Sequence, residues 1–336
     1  MSLLYSGEEE DLRAAVRSLI ADRLPPAAVL KRVESSPYDL DLWKTLAGEI
    51  GVAGLLIPEE YGGAGATAAE AGVVLEELGR GVTPVPFFTS SILATHALLQ
   101  AGAADLLREL ASGETTAALV VPFSASPYRL TGSTAQVAGA DVADVLLVVR
   151  DGTLHVAEGD VRVVPSLDLT RPVADVTVEA GAALGPCDLA ETLRFGAGML
   201  ASEQLGVAEW CLDTTLAYVR ERHQFARPIG SFQSIKHRLA DLWLDVVRAR
   251  AAARGVVADG SPRQVAVSQA WNARVAVHAA EEALQLHGGI GMTWEHPIHL
   301  YLKRAKATEI ALGTPGDHQQ ALAELAGLPG PERGQQ

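Results

Sequence analysis

The sequence predicts a mainly α-helical protein with a small β domain in its middle, and three observations carry that prediction. Long stretches towards both ends repeat apolar residues every three or four positions, the period of an amphipathic helix. From Gly113 the period changes, and short runs rich in β-branched residues alternate with Gly, Pro and Asp up to about Leu184. From Asp188 the helical period returns over four long segments, enough for a bundle. The expected organisation is therefore an N-terminal helical domain over residues 1–113, a shortened β domain over 114–184 and a C-terminal four-helix bundle over 185–336.

Taken in order, Leu12, Val16 and Leu19 lie about a turn apart in a first helix. It has acidic residues at its favourable N-terminal end, and Pro25 and Pro26 stop it. A second helix spans about Leu40 to Glu49 and ends at Gly51. A turn over Pro58 to Gly63 leads into a helix carrying Val73, Val74, Leu75 and Leu78, and a further helix covers about Ser91 to Ala111 with a break at Gly102. Strands are expected at Thr115–Val121, Val145–Val149, Leu154–Ala157, Val161–Val164 and Val176–Val178. The helix from Asp188 to Val219 carries Gly196, Gly198, Ala201, Ser202 and Gly206, small residues that let helices approach closely. Helices then follow from Phe232, from Gln264 to His287, across Tyr301 to a break at Gly313, and from Asp317 to Ala326.

Composition bounds the function. With 27 Lys+Arg against 41 Asp+Glu the formal charge is −14, which opposes a nucleic-acid partner. No apolar run reaches the roughly 18 residues of a membrane span. The acidic start, MSLLYSGEEEDLR, is unlike a basic signal peptide, so the expectation is a cytoplasmic protein away from membranes. Cys187 and Cys211 form no disulfide framework, and no Cys or His spacing suggests a metal site. The sequence also lacks a G-x-S-x-G elbow, a Walker A loop and a dinucleotide G-x-G-x-x-G.

Against this acidic background Arg220, Arg222, Arg227, Lys236 and Arg238 crowd one segment, RERHQFARPIGSFQSIKHRLAD. Pro228 biases Arg227 towards extended geometry and Gly230 loosens the next bond, so the segment makes a turn between two helices. Such a basic corner either binds an anion or is a solvated helix start with snorkelling arginines.

The order R-x-Q-F-x-x-P-I-x-x-F-Q in that segment resembles the flavin-binding signature of acyl-CoA dehydrogenases. LQLHGGIGMTWEHP, from Leu284 to Pro297, is similar to a second motif of the same family, and PEEYGG with its following helix is similar to its N-terminal domain. The resemblance implies that FAD is bound with help from Arg222, Gln224, Phe225, Gln233, Gln285, Leu286, His287, Gly288, Gly289 and Thr314. Arg222 would pair with the pyrophosphate, and the two glycines would let backbone amides approach the cofactor. In the family these arginine and glutamine-glycine motifs reach across an interface to FAD held mainly by a neighbouring subunit.

Two departures from the family matter. The loop that packs on the flavin ring is missing, because only PFSASPYRLTGS follows Val121 before the next strand. Leu312 and Gly196 occupy the two positions where family members carry the catalytic glutamate, leaving Glu203 and Glu309 as the only nearby substitutes. As simple surface or capping carboxylates these would have no role in the chemistry. The resemblance thus implies a non-catalytic, FAD-binding subunit, similar to the shortened subunits of two-subunit steroid side-chain dehydrogenases. It would pair with a homologous catalytic subunit as α2β2, with acyl-CoA in the partner's site and an electron-transfer flavoprotein or similar acceptor. The alternatives are a self-sufficient dehydrogenase with a relocated glutamate and a flavin-free assembly module.

Overall fold

The computed structural model describes residues 3–35, 37–124 and 133–328. Helices α1 (Gly7–Arg23), α2 (Pro26–Arg32) and α3 (Leu40–Thr45) open the chain, and a π-helical turn over Leu46–Ile50 extends the last of them. The start of α1 is fixed by a reciprocal cap: Ser6 Oγ accepts from the Glu9 amide while the Glu9 carboxylate accepts from the Ser6 amide. Helix α4 (Ala68–Arg80) has the same device in Thr67 and Glu70. A π-helical stretch, Phe87–Ala94, runs into α5 (Thr95–Ala101), and Gly102 in left-handed geometry separates it from α6 (Ala104–Ala111).

A five-stranded sheet follows, built from β1 (Ala117–Leu119), β2 (Ser133–Ala138), β3 (Val145–Arg150), β4 (Thr153–Val164) and β5 (Val173–Pro186) in the order β1-β3-β4-β5-β2. Only β1 and β3 pair in parallel; the other neighbours are antiparallel. The two segments expected as separate strands at Leu154–Ala157 and Val161–Val164 are one strand. Glu158, Gly159 and Asp160, which read locally as a turn, pair with Glu179, Val178 and Thr177. Strand β5 extends well beyond the expected Val176–Val178 for the same reason, and β2 is the strand that follows the shortened loop. Of the shortened loop, residues 125–132 lie outside the described ones.

The remaining helices are α7 (Leu189–Glu221), α8 (Gln233–Ala258), α9 (Pro262–His287), α10 (Ile298–Ile310) and α11 (Pro315–Leu325). Helix α7 is the central rod, packed on α4, α8, α9 and α10, which explains why it is apolar on most sides. Its small residues are needed where it crosses α4. A Cβ on Gly206 would lie 1.9 Å from the Glu76 carbonyl oxygen, and one on Gly79 would lie 2.2 Å from that of Glu203.

The sheet is tied to the helices by four buried charges. Between β4 and β5, Asp168 bonds the Arg304 guanidinium of α10, and Arg171 meets Glu203 of α7 with both ends of its fork. Arg304 Nη1 lies 3.5 Å from Glu203 Oε1, closing the group into one network. Thr170 supports it, with its hydroxyl donating to Asp168 and accepting from Arg304 Nη2 at 2.6 Å. The four side chains are at most 9% exposed.

Removing one member leaves an uncompensated buried charge, so Arg304→Ala should cost about 3–5 kcal/mol, read as a lowered urea midpoint. The network also sets a pH dependence. Burial alone would raise the Asp168 and Glu203 pKa values, but Arg171 and Arg304 outweigh it and hold both below their ordinary values of 3.8 and 4.5. Depressed folded-state values mean that this stabilisation is complete above about pH 4.5 and disappears as the pH falls through the folded-state range. An Asp168→Asn/Glu203→Gln protein should therefore lose less stability than the parent between about pH 5 and pH 3. Equal acid slopes in the two proteins would refute the assignment.

Candidate cofactor and reaction sites

The basic corner is a small hairpin at the end of α7. Strands β6 (His223–Gln224) and β7 (Arg227–Pro228) flank a two-residue turn in which Phe225 and Ala226 both have positive φ, 53° and 60°. The Ile229 amide donates to the Arg222 carbonyl at 2.8 Å and closes it. Two left-handed residues match the twist of a tight hairpin, but neither is a glycine, so the turn is held in a disfavoured geometry. One result is that Phe225 stands 87% exposed, touching only the edge of Phe232 at 6.1 Å between centroids.

Five clustered cations reduce to three. Arg238 is committed to Glu282 through two 2.7 Å bonds, and the Arg227 guanidinium lies 3.9 Å from the centre of the Phe232 ring. Arg220, Arg222 and Lys236 have no carboxylate partner among the described residues. Arg222, Gln224 and Gln233 are exposed, so each offers free donors to an outside group.

The second motif is brought to the same end of the bundle by Tyr218, one turn before Arg222. Its ring stacks on His287 at 4.3 Å and its hydroxyl donates to the His287 carbonyl at 3.3 Å, locking the last turn of α7 to the last turn of α9. The Arg222 amide in turn donates to the Tyr218 carbonyl. Gln285, Gly288 and Gly289 are exposed here, whereas Leu286 and His287 turn into the core. Burial pushes the His287 imidazole below the usual histidine range, and its Nδ1 meets the Ala283 carbonyl at 2.8 Å. Leu286 and His287 therefore position the loop from behind.

Gly288 has φ +60° and ψ −137°, a conformation that demands glycine. Gly289 has no such need, and a Cβ there would meet nothing within 4 Å. Among the described residues nothing requires a glycine at 289, as expected if an outside group approaches the backbone at that point. An exposed guanidinium, three exposed side-chain amides and an open glycine backbone fit the phosphates and polar edges of a nucleotide.

Thr314, expected among the FAD contacts, caps a helix in this chain. Its hydroxyl is committed to a reciprocal cap on α11, donating to Asp317 Oδ2 at 2.7 Å and accepting from the Asp317 amide.

Gly196 on α7 and Leu312 after α10, far apart in sequence, meet in space. A Cβ built on Gly196 would lie 3.2 Å from Leu312 Cδ1 and 2.3 Å from Leu93 Cδ2. Leu93 comes from the π-helical stretch, is 4% exposed and packs against Gly196. Sequence reading missed Leu93, which had no signal among many leucines, and Tyr218, whose place one turn before Arg222 was a usable clue. Leu312 itself has φ +57°, an uncommon backbone for leucine.

Neither substitute carboxylate faces this spot as a free base. Glu203, which the sequence offers as either a relocated base or a surface or capping carboxylate, is 1% exposed and fenced by Arg171 and Arg304. It is ionised and already bonded, a poor proton acceptor. Glu309 is half-buried, 3.8 Å from Lys306. Among the described residues no group of His, Cys, Asp and Glu is arranged to hold a metal ion, and no helix is long and apolar enough to cross a membrane.

Comparison with known proteins places these features in one family. The profile of the acyl-CoA dehydrogenase N-terminal domain matches residues 6–114, and that of the C-terminal domain matches residues 188–324. Acyl-CoA dehydrogenase IpdE2 of Mycolicibacterium smegmatis is 39% identical over 320 residues, covering 94% of this chain and 98% of its own. Among solved structures, the Tcur3481-Tcur3483 steroid ACAD G363A variant superposes with a TM-score of 0.85 at 30% identity, covering 95% of this chain and 98% of its own. The ChsE4-ChsE5 complex from Mycobacterium tuberculosis gives 0.86 at 28% identity, covering 98% and 100%. With family profiles over both helical regions and a relative of this similarity along nearly its whole length, the chain belongs to the acyl-CoA dehydrogenase family.

Proposed function

We propose that this chain is the accessory subunit of a heteromeric acyl-CoA dehydrogenase and completes the nucleotide side of an FAD site whose reacting side belongs to a homologous catalytic partner. The observation that carries the reading is the meeting of Gly196, Leu312 and Leu93. Both positions at which the family places its base converge on one point, and that point is aliphatic and filled. Dehydrogenation of a thioester needs a carboxylate to take the α-proton, and FAD supplies the hydride acceptor. None of Gly196, Leu312 and Leu93 carries a group that can take that proton.

The nucleotide side has the opposite character. Arg222, Gln224, Gln233 and Gln285 present unused donors beside Gly288 and Gly289, held in register by the Tyr218–His287 stack. Arg222 would bind pyrophosphate oxygens with its guanidinium fork, and exposed Phe225 would cover an apolar face of the cofactor or of the partner. A likeness to two solved structures named as two-chain assemblies, one of them a steroid ACAD, supports a heteromer and points to the CoA ester of a steroid-derived acid as substrate.

Arg222→Ala in the co-expressed complex should weaken FAD retention roughly ten- to a hundredfold while leaving assembly intact, measured by flavin fluorescence during dilution and dialysis. The complex should hold one FAD for every two chains; one per chain would refute the shared site. The isolated chain should reduce no dye acceptor with any acyl-CoA. Turnover by the chain alone that is lost in Glu203→Gln or Glu309→Gln would identify a relocated base and overturn the accessory reading.

A further inference from the structure

Next to the hairpin, on the face formed by the end of α7 and the start of α8, lies an open cavity of about 480 Å³. Its floor is made by Leu216, Val219, Leu239 and Trp243, and Arg220 and Lys236 stand at its rim. Trp243 is 53% exposed and its neighbour Leu244 is 44% exposed, a large apolar area to leave in water. Half-exposed tryptophan beside unpaired arginine is the composition of an interface centre rather than of an ordinary acidic surface.

The electrostatics select the occupant. In a chain of formal charge −14, Arg220 and Lys236 flank an apolar floor and have no carboxylate partner among the described residues. Elsewhere on the same helices Arg250 bonds Glu209 and Arg238 bonds Glu282. The cavity also shares Leu216 and Trp243 with a neighbouring chamber, where Arg13, Arg17, Arg80 and Arg250 are paired with Glu76, Glu77, Asp213 and Glu209. Arg254 of that chamber has no carboxylate partner among the described residues either, but it donates to the Leu3 carbonyl and lies 3.8 Å from the centre of the Tyr5 ring, so it is Arg220 and Lys236 at the hairpin end that are left for an outside anion.

We infer that this groove receives an acidic amphipathic segment of the catalytic partner subunit, with apolar side chains on the Leu216–Val219–Leu239–Trp243 floor and carboxylates against Arg220 and Lys236. The inference rests on the accessory-subunit reading and adds the docking surface to it. Apolar burial would supply affinity, and the two cations would set register and exclude a basic partner.

The test uses the full chain co-expressed and purified with its catalytic acyl-CoA dehydrogenase subunit. An Arg220→Glu/Lys236→Glu chain should associate roughly ten- to a hundredfold more weakly by light scattering coupled to gel filtration, and Trp243→Ser should act in the same direction. Circular dichroism and thermal midpoints of the isolated variants should match the parent, which separates lost docking from lost folding. A photo-crosslinking phenylalanine analogue at position 243 should capture a partner peptide rich in Asp and Glu. Normal assembly by both variants, capture of a second copy of this chain, or capture of a basic peptide would each overturn the inference. If the parent chain forms no heteromer at all, it is the accessory-subunit reading that fails.

Discussion

The buried network of Asp168, Arg171, Glu203 and Arg304 is the constraint on which the arrangement of the sheet and the helices depends. Two positive and two negative side chains leave water together, and each is satisfied only if the β4–β5 connection, α7 and α10 hold one relative position. Charges of this kind add little net stability over a well-packed apolar core, because their desolvation offsets much of the attraction. They penalise every misplacement, however, since a shift of any one element strands a charge. The Arg171 guanidinium also lies 5.0 Å from the centre of the Phe123 ring and 5.6 Å from that of Phe88, so the same residue braces the segment after β1 and the π-helical stretch before the sheet.

This network explains why Glu203 is easily misread. On the sequence it is a carboxylate two turns from Gly196 on a helix, which suggests either a relocated base or an idle surface residue. Its partners come from positions 171 and 304, and no local pattern joins them to it. The sheet was obscured in the same way: Glu158-Gly159-Asp160 is a turn by local preference and a strand by pairing, and β2 exists because β5 is beside it. Helices were legible because their period, caps and stops lie within a few residues. Pro25, Gly51 and Gly102 are expected stops that the structure keeps.

At the candidate site the same division holds. The residues assigned to the nucleotide side fall, Thr314 apart, within two short motifs, and it is the resemblance of those motifs to the family's that singles them out. Whether each faces outward was a matter of the fold: Gln285, Gly288 and Gly289 do, while Leu286 and His287 between them turn inward to meet Tyr218. The convergence of Gly196 and Leu312 could be expected from the resemblance alone, but the leucine packed against Gly196 could not. Leu93 reaches the point from a third element, and its identity is ordinary until its neighbours are known.

The two halves of the site differ in how tolerant each is of change. A carboxylate poised for proton abstraction is costly to bury, and a position that no longer needs one is stabilised by aliphatic replacement. Around Gly196 the packing is aliphatic, and a Cβ there would lie 2.3 Å from Leu93 Cδ2. A carboxylate at Gly196 would first have to displace the end of the Leu93 side chain. Exposed Arg222 and its neighbouring amides carry no comparable burial cost while free, because water satisfies them until a ligand does. The proposed role of serving another chain's cofactor requires exposed donors and no buried carboxylate, and the aliphatic contact of Gly196 with Leu312 and Leu93 beside exposed Arg222 has that combination.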